Sequence, residues 1–434
     1  MTITVVGAGL AGCEAAWQLA ERGVDVRLIE MKPLERSPAH DADGMAELVC
    51  SNSFRGAGLT SAVGLLKEEL RSLGSLLIGV ADETAVPAGR ALAVDRNLFS
   101  KAVEKAMSAH PRIEIVRRRA DDLPEGRVIV ATGPLTGGAL KDALTASGAL
   151  LYYHDAIAPL VTADSIESST IFHASRYEQE EGDYINCPFD ERGYYRFVDA
   201  LVLAEKTPLH DFEHAPFFEG CLPVEELAVR GPLTLAHGPL KPVGLIDPST
   251  GKRPFAVVQL RREDKQGTVY NIVGFQTRLT RPEQKRVFRM IPGLEKARFA
   301  RLGQVHRNSF VDAPKVLDGR LGLRSDPRVS LAGQLAGVEG YVESIACGLA
   351  AGLLAAAECR GIDLQPLPTT TALGGLMRFL TVERKNFQPS NVLWMMIDKP
   401  PRLRRQGKRP HREAAAKLAL EHLDTWKSIS QSYP

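Results

Sequence analysis

At 434 residues, 44% of them hydrophobic, and with a formal net charge of +2, the chain has the composition of a folded protein with a sizeable core, which excludes a disordered or uniformly basic nucleic-acid-coating polymer. That length accommodates two ordinary domains, or one large domain carrying an insertion. No apolar run is expected to reach the roughly 20 residues that cross a bilayer, no charged-then-apolar leader opens the chain, and six cysteines without a C-x-x-C pair argue against a metal site or a disulfide framework, so a reducing cytoplasm is the economical expectation.

The first thirty residues are the most informative. Residues 2–6 read as a β-branched strand, followed by Gly7-Ala8-Gly9-Leu10-Ala11-Gly12, a helix over 13–21 and a second strand over 24–29 that ends in Glu30. A lone G-x-G-x-x-G carries little, but between a strand and a helix, and followed by an acid, it signals a dinucleotide site. Gly7 permits the tight turn, Gly9 lets the backbone approach a pyrophosphate, and Gly12 lets helix and strand pack closely. The pyrophosphate meets unpaired N–H groups at the helix N-terminus. Glu30, with Lys32 just beyond it, would meet the adenosine ribose.

Cys50 follows in ELVCSNS, a polar, turn-like stretch. Residues 63–77 read as one amphipathic helix with Lys67, Glu68, Glu69 and Arg71 on its outer side. Residues 127–133 read as a buried strand ending in Ala131-Thr132-Gly133. From about residue 193 the nucleotide-domain alternation fades, and extended segments at 254–260 and 268–275, separated from each other by turn chemistry, indicate an inserted α+β domain. A late strand then leads through Gly333, Gln334, Val338 and Gly340 into a helix over 345–358. This strand–glycine–helix element resembles that of the large two-dinucleotide-binding flavoproteins, where the helix N-terminus faces the pyrophosphate and flavin end of FAD. The expected fold is therefore α/β: a discontinuous, Rossmann-like FAD-binding domain over 1–192 and 312–434, with an inserted α+β domain over 193–311. No second complete fingerprint is present, so a nicotinamide reductant, NADH or NADPH, would visit transiently.

Residues 376–412 change character, with ten Lys/Arg against two acids and Phe379, Phe387 and Trp394 interleaved. The run is either a solvated face or an electrostatic footprint for phosphates, with aromatics available to stack on unpaired bases. Arg402, Arg404, Arg405, Lys408 and Arg409 are the candidate RNA contacts. Among the cysteines, Cys13, Cys347 and Cys359 fall in expected packed helices and Cys187 in a structural turn. Cys50 and Cys221 lie in Gly, Ser and Pro turn chemistry, where a reactive thiol would be presented. Spacing alone leaves their roles open.

The blocks VVGAGLAGCEAAWQLAERG, ELVCSNS, AGRALAVDR, FEGCLPVEELAVRGPLTL, YNIVGFQT, HRNSF and LAGQLAGVEGYVESIACGLAAG resemble the bacterial folate- and FAD-dependent tRNA uracil-5-methyltransferases, relatives of the glucose-inhibited-division flavoproteins. The resemblance runs in order over essentially the whole chain. Phe54, Arg90 and Leu240 depart from the family pattern without touching a cysteine or a fingerprint glycine. The resemblance implies that 5,10-methylenetetrahydrofolate supplies a carbon, that reduced FAD supplies electrons, and that the product is 5-methyluridine at position 54 of the tRNA T loop. Uracil C5 becomes nucleophilic once a thiolate adds to C6, and its proton must then leave to a base. The resemblance assigns Cys221 to the addition and Cys50 to the proton, with the order of the two roles open. It also brings Gln276, Thr277, His306 and Asn308 forward as contacts to the folate or the flavin edge. The target base must be unstacked to reach such a pocket. Competing readings are a sister class that alkylates the wobble uridine, whose chains are longer, a small-molecule FAD oxidoreductase, and a non-catalytic FAD protein that binds tRNA. Oligomeric state, the choice between NADH and NADPH, and the pterin contacts stay open.

Overall fold

A computed structural model describes residues 2–146, 150–176, 182–208, 222–385, 387–401 and 407–431. Thr2–Val6 sits inside a six-stranded sheet and pairs in parallel with Asp25–Glu30 on one side and Val128–Val130 on the other. Ile113–Arg117 extends the sheet beyond Asp25–Glu30. Asp326–Leu331, also parallel, adds beyond Val128–Val130, and Gly322–Leu323 closes that edge antiparallel. Val5, Ile129 and Leu331 are wholly buried, as continuous apolar strands covered on both faces must be. One sheet thus takes strands from both ends of the chain, which makes the nucleotide-binding unit discontinuous.

Two helices on this sheet touch backbone to backbone. A Cβ at Gly348 would lie 2.2 Å from the Ala11 carbonyl oxygen, and one at Gly352 would lie 2.7 Å from that of Ala15. The helices Leu10–Glu21 and Tyr341–Cys359 can meet this closely because those positions lack side chains. Tyr341–Cys359 also corrects the expectation about apolar runs: it is long and apolar enough to cross a membrane, and 78% of its most apolar window is buried inside the fold. A helix that is apolar on all sides is what a core position between two layers requires.

The second layer is a six-stranded antiparallel sheet in the order Phe172–His173, Ile185–Phe189, Ala256–Arg262, Val269–Ile272, Leu160–Thr162, Phe299–Arg301. Tyr194, Phe197, Phe275 and Phe288 fill its core. The boundary expected at residue 193 falls inside the helix Glu191–Leu203, and three strands of this sheet precede it. Leu160–Thr162 and Ile185–Phe189 escape local pattern reading because partners of theirs are distant: Val161 lies opposite Tyr270, and Cys187 opposite Val258. A two-stranded ribbon, Leu150–Ala156 against Val305–Val311, carries the chain out of the nucleotide unit and back.

The single helix expected over 63–77 is two helices, Ala62–Ser72 and Leu76–Glu83, broken at Gly74 with φ +74° and restarted by Ser75, whose side chain accepts from the Ile78 N–H. Its outer side is also corrected, because Lys67 and Glu69 are wholly buried. Lys67 Nζ donates to the carbonyls of Phe54 at 2.8 Å and Gly56 at 2.7 Å. The Glu69 carboxylate accepts from the N–H groups of Ala372 at 2.7 Å and Leu373 at 2.8 Å, the first turn of the helix Ala372–Thr381. Both polar groups are buried because a distant element supplies their partners.

Burial, reinforced by the nearby Arg55 guanidinium, pushes the Lys67 ammonium down to about 7. Below that pH the amine is protonated in both folded and unfolded chains. Between it and the ordinary lysine range, the unfolded chain binds a proton that the folded one lacks, so this group makes stability rise with pH across the window. Urea midpoints of the parent and of Lys67→Met are expected to diverge between about pH 7 and about pH 9, with the parent gaining on the variant. A pH-independent difference would refute this.

Candidate functional site

The carboxyl ends of the parallel strands open onto a cavity of about 370 Å³, the location where open α/β sheets bind ligands. Gly7, Ala8, Gly9 and Leu10 line it, as do Glu30, Lys32, Ala131, Thr132, Gly133, Gly333 and Gln334. Gly9 caps the helix Leu10–Glu21 without a side chain, a Cβ there would meet no atom within 4 Å, and no acid occupies the first turn. This bare helix N-terminus facing a cavity suits a pyrophosphate. The Glu30 carboxylate accepts from the Ala8 N–H at 2.6 Å and the Lys32 N–H at 2.9 Å, so it braces the glycine loop and retains lone pairs for ribose hydroxyls. Lys32 Nζ is buried and paired with Glu47 Oε2 at 3.0 Å.

Three expected cofactor residues stand back from the cavity. Gly12 lies under the loop, where a Cβ would come within 1.8 Å of the Gly7 carbonyl oxygen. Val338 is wholly buried and bridges Ser390, and Gly340 precedes the helix Tyr341–Cys359 at φ +103°. These residues shape the elements that carry the wall.

Cys50 lines the same cavity, partly exposed. Its loop is held by main-chain bonds from both layers. The N–H groups of Cys50 and Ser51 donate to Tyr341 Oη at 2.7 and 3.1 Å. Arg301 donates to the carbonyls of Val49 at 3.0 Å and Cys50 at 3.3 Å, and Arg96 donates to that of Leu48 at 2.8 Å. Asn52, wholly buried, donates to the carbonyls of Val94 and Arg262 and accepts from Arg261, stitching the loop to the antiparallel sheet. Burial pushes the Arg301 guanidinium below its usual range, helped by Arg96, while Tyr341, Glu263 and the Cys50 sulfur work to keep it charged. For Arg96 burial is outweighed, and ion pairing with Glu263, with smaller help from Tyr341 and Cys50, holds it above its usual range. Two guanidinium groups are therefore within electrostatic reach of this sulfur. Sequence reasoning missed Arg96, Arg301, Tyr341 and Asn52 as parts of the site. Asn52, Arg96 and Tyr341 stand inside the quoted blocks ELVCSNS, AGRALAVDR and LAGQLAGVEGYVESIACGLAAG, the one signal that could have found them; Arg301 lies in none.

His306 and Asn308, on the two-stranded ribbon, also line the cavity. Burial, then the charges of Arg301 and His40, lowers His306 below its usual range, so it is neutral at pH 7, and its Nε2 is buried with no hydrogen-bond partner among the described residues. Gln276 and Thr277 are not in the cavity wall. Thr277 Oγ1 donates to Glu225 at 2.9 Å, and the Gln276 carbonyl accepts from the Val224 N–H at 2.7 Å, so the pair docks the helix Val224–Val229. Cys221, Arg402, Arg404 and Arg405 lie outside the described residues. Lys408 and Arg409 are exposed at the start of the helix Lys408–Gln431. Cys13 and Cys187 are buried with thiols pushed far up by that burial, and burial holds Cys347 at about 12, as packing cysteines should be.

A parallel sheet with a glycine loop, a bare helix N-terminus and a late return strand defines a dinucleotide-binding flavoprotein fold. The family model described as Glucose inhibited division protein A matches residues 2–363, and the chain belongs to that family. The methylenetetrahydrofolate–tRNA-(uracil-5-)-methyltransferase TrmFO of Geobacter sulfurreducens is 55% identical, covering 98% of this chain and 98% of that protein. The protein of the same name from Heliobacterium modesticaldum is 54% identical over 98% of this chain and 97% of its own length. Among solved structures, GidA of Aquifex aeolicus superposes with a TM-score of 0.69 at 16% identity, over 99% of this chain and 75% of that one, a likeness of fold.

Proposed function

We infer that this chain is a methylenetetrahydrofolate-dependent tRNA uracil-5-methyltransferase that carries FAD in the cavity described. Supporting this are relatives of that name at about half identity or more along the whole chain. The observation that carries the chemistry is that Cys50 lines the same cavity as the dinucleotide loop. FAD bound there, once reduced by NADH or NADPH, would supply the two electrons that convert a methylene to a methyl group. The chain's own residues do the rest. The helix N-terminus at Gly9 and Leu10 receives the pyrophosphate, and Glu30 orients the ribose. Cys221 adds to uracil C6, which makes C5 nucleophilic, and Cys50, with the Arg96 and Arg301 guanidinium groups nearby, takes the C5 proton after the carbon is delivered, so that the Cys221–C6 bond breaks by elimination and the thiol is released. His306, neutral and with an open Nε2, and Asn308 contact the folate or the flavin edge. The finer substrate is uridine 54 of the T loop, drawn out of its stack, with Lys408 and Arg409 on the tRNA backbone.

The test is to incubate the protein with unmodified tRNA, NAD(P)H and methylenetetrahydrofolate and to map 5-methyluridine by digestion and mass spectrometry. The expected product is one methyl group at the T-loop uridine, dependent on folate and absent when S-adenosylmethionine is the sole donor. A yellow preparation that oxidises NAD(P)H but leaves tRNA unmodified would overturn the RNA reading in favour of a small-molecule oxidoreductase.

A further inference from the structure

Between the helices Ala372–Thr381 and Lys408–Gln431 the chain turns at residues 393–396 and presents two apolar side chains to solvent, Met395 at 81% and Leu393 at 45% exposure. Scattered exposed apolar residues need no explanation. These two differ because their backbone is braced. The Met396 N–H donates to the Leu393 carbonyl at 2.9 Å, Trp394 Nε1 to that of Thr60 at 3.0 Å, and Arg378 Nη2 to that of Met396 at 2.8 Å. Lys399 Nζ donates to the carbonyls of Trp394 and Ile397, and the Asp398 N–H donates to that of Thr369 at 2.9 Å. A loose loop could fold its apolar residues inward, whereas a turn pinned at this many points holds them out.

The surroundings are cationic. Asp398 is matched by both Arg378 nitrogens, at 2.9 Å each. The Arg412 guanidinium lies 5.8 Å from the Trp394 ring centre, and Lys399, Lys408 and Arg409 are exposed. Lys408, Arg409 and Arg412 also open the helix Lys408–Gln431, which has no acid in its first turn. Cations at a helix N-terminus oppose the helix dipole. Arg409 is partly balanced within the helix by Glu413, whose Oε1 accepts from its Nε at 3.0 Å, but a local rule broken in this way commonly marks a place where an outside group completes the balance; here an anion would do so.

We propose that the 393–396 turn is an RNA-docking wedge, in which Leu393 and Met395 pack against unstacked nucleobases while Lys399, Lys408, Arg409 and Arg412 hold the flanking phosphates. This rests on the reading of the chain as a tRNA-modifying enzyme. An unstacked base offers an apolar face beside anionic backbone, and an apolar tip rimmed by cations is complementary to both. A second copy of this chain fits less well, because a two-fold contact would set the patch against itself and bring like charges together.

The full-length holoprotein tests it, through tRNA affinity over a salt series for the parent, a Leu393→Ala/Met395→Ala variant and Lys408→Ala. The apolar double variant is expected to weaken tRNA binding on the order of tenfold with an unchanged slope of log affinity against log salt. Lys408→Ala is expected to flatten that slope by about one. Flavin content and melting temperature report that each variant is folded. Unchanged affinity in the double variant, alongside a parent that methylates tRNA, would overturn the wedge alone. A parent that leaves tRNA unmodified would overturn the underlying reading. A change in sedimentation of the double variant without a change in tRNA affinity would assign the patch to self-association instead.

Discussion

Replacing Cys50 with alanine is expected to leave FAD and tRNA bound and to slow methyl transfer by about 10²–10⁴-fold, the range typical of a removed general base. The variant should fold, because the bonds from Tyr341 and Arg301 and the anchoring by Asn52 engage the backbone of this loop or residues beside Cys50. The side chain is partly exposed in the cavity wall, so its loss opens no sealed void in the core. Single-turnover yield of 5-methyluridine, measured beside the flavin absorbance, separates chemistry from folding. Turnover within about threefold of the parent, with flavin retained, would remove Cys50 from the chemistry.

Gly12→Ala and Gly9→Ala are expected to fail in different ways. A methyl group at position 12 would sit 1.8 Å from the Gly7 carbonyl oxygen and 2.9 Å from its carbon. That oxygen cannot retreat easily, since Gly7 is at φ +97° and its N–H donates to the Ile29 carbonyl at 2.8 Å. Helix and strand must separate, and the cost should exceed the 1–3 kcal/mol or so of ordinary overpacking. Gly12→Ala is therefore expected to lower the melting temperature of the protein even when stripped of FAD, and to be isolated colourless. At Gly9 a methyl group meets no protein atom within 4 Å but occupies the mouth where a pyrophosphate would approach. Gly9→Ala should keep the stability of the stripped protein and lose flavin affinity. Equal stability of the two stripped variants would refute the packing role given to Gly12.

The nucleotide-binding half was legible because its signals are local. Gly7, Gly9, Gly12 and Glu30 stand within one strand–helix–strand unit, and short-range sterics decide what that unit can be. Lys67 and Glu69 show where local reading stops. A lysine and a glutamate on an amphipathic helix read as solvent-facing, yet both are buried, because Phe54, Gly56 and the N-terminus of the Ala372–Thr381 helix supply their partners. The start of the antiparallel sheet was misplaced for a similar reason: strands such as Ile185–Phe189 are defined by a partner some seventy residues away.

The same division runs through the site. The family and the glycine loop were legible in the sequence by itself, and Cys50 stood out there as a candidate, since each rests on residue types in short, recognisable blocks. Only the tertiary structure decided that Tyr341, Arg96, Arg301 and Asn52 converge on the loop carrying that thiol. Tyr341 and Arg96 each open a helix, Arg301 ends a strand of the antiparallel sheet, and Asn52 is in the loop itself. Hydrogen bonds between groups dozens to hundreds of residues apart leave no periodic trace along a chain. Such contacts form when the antiparallel sheet packs against the nucleotide-binding unit, which closes the cavity and sets two partly buried guanidinium groups near Cys50.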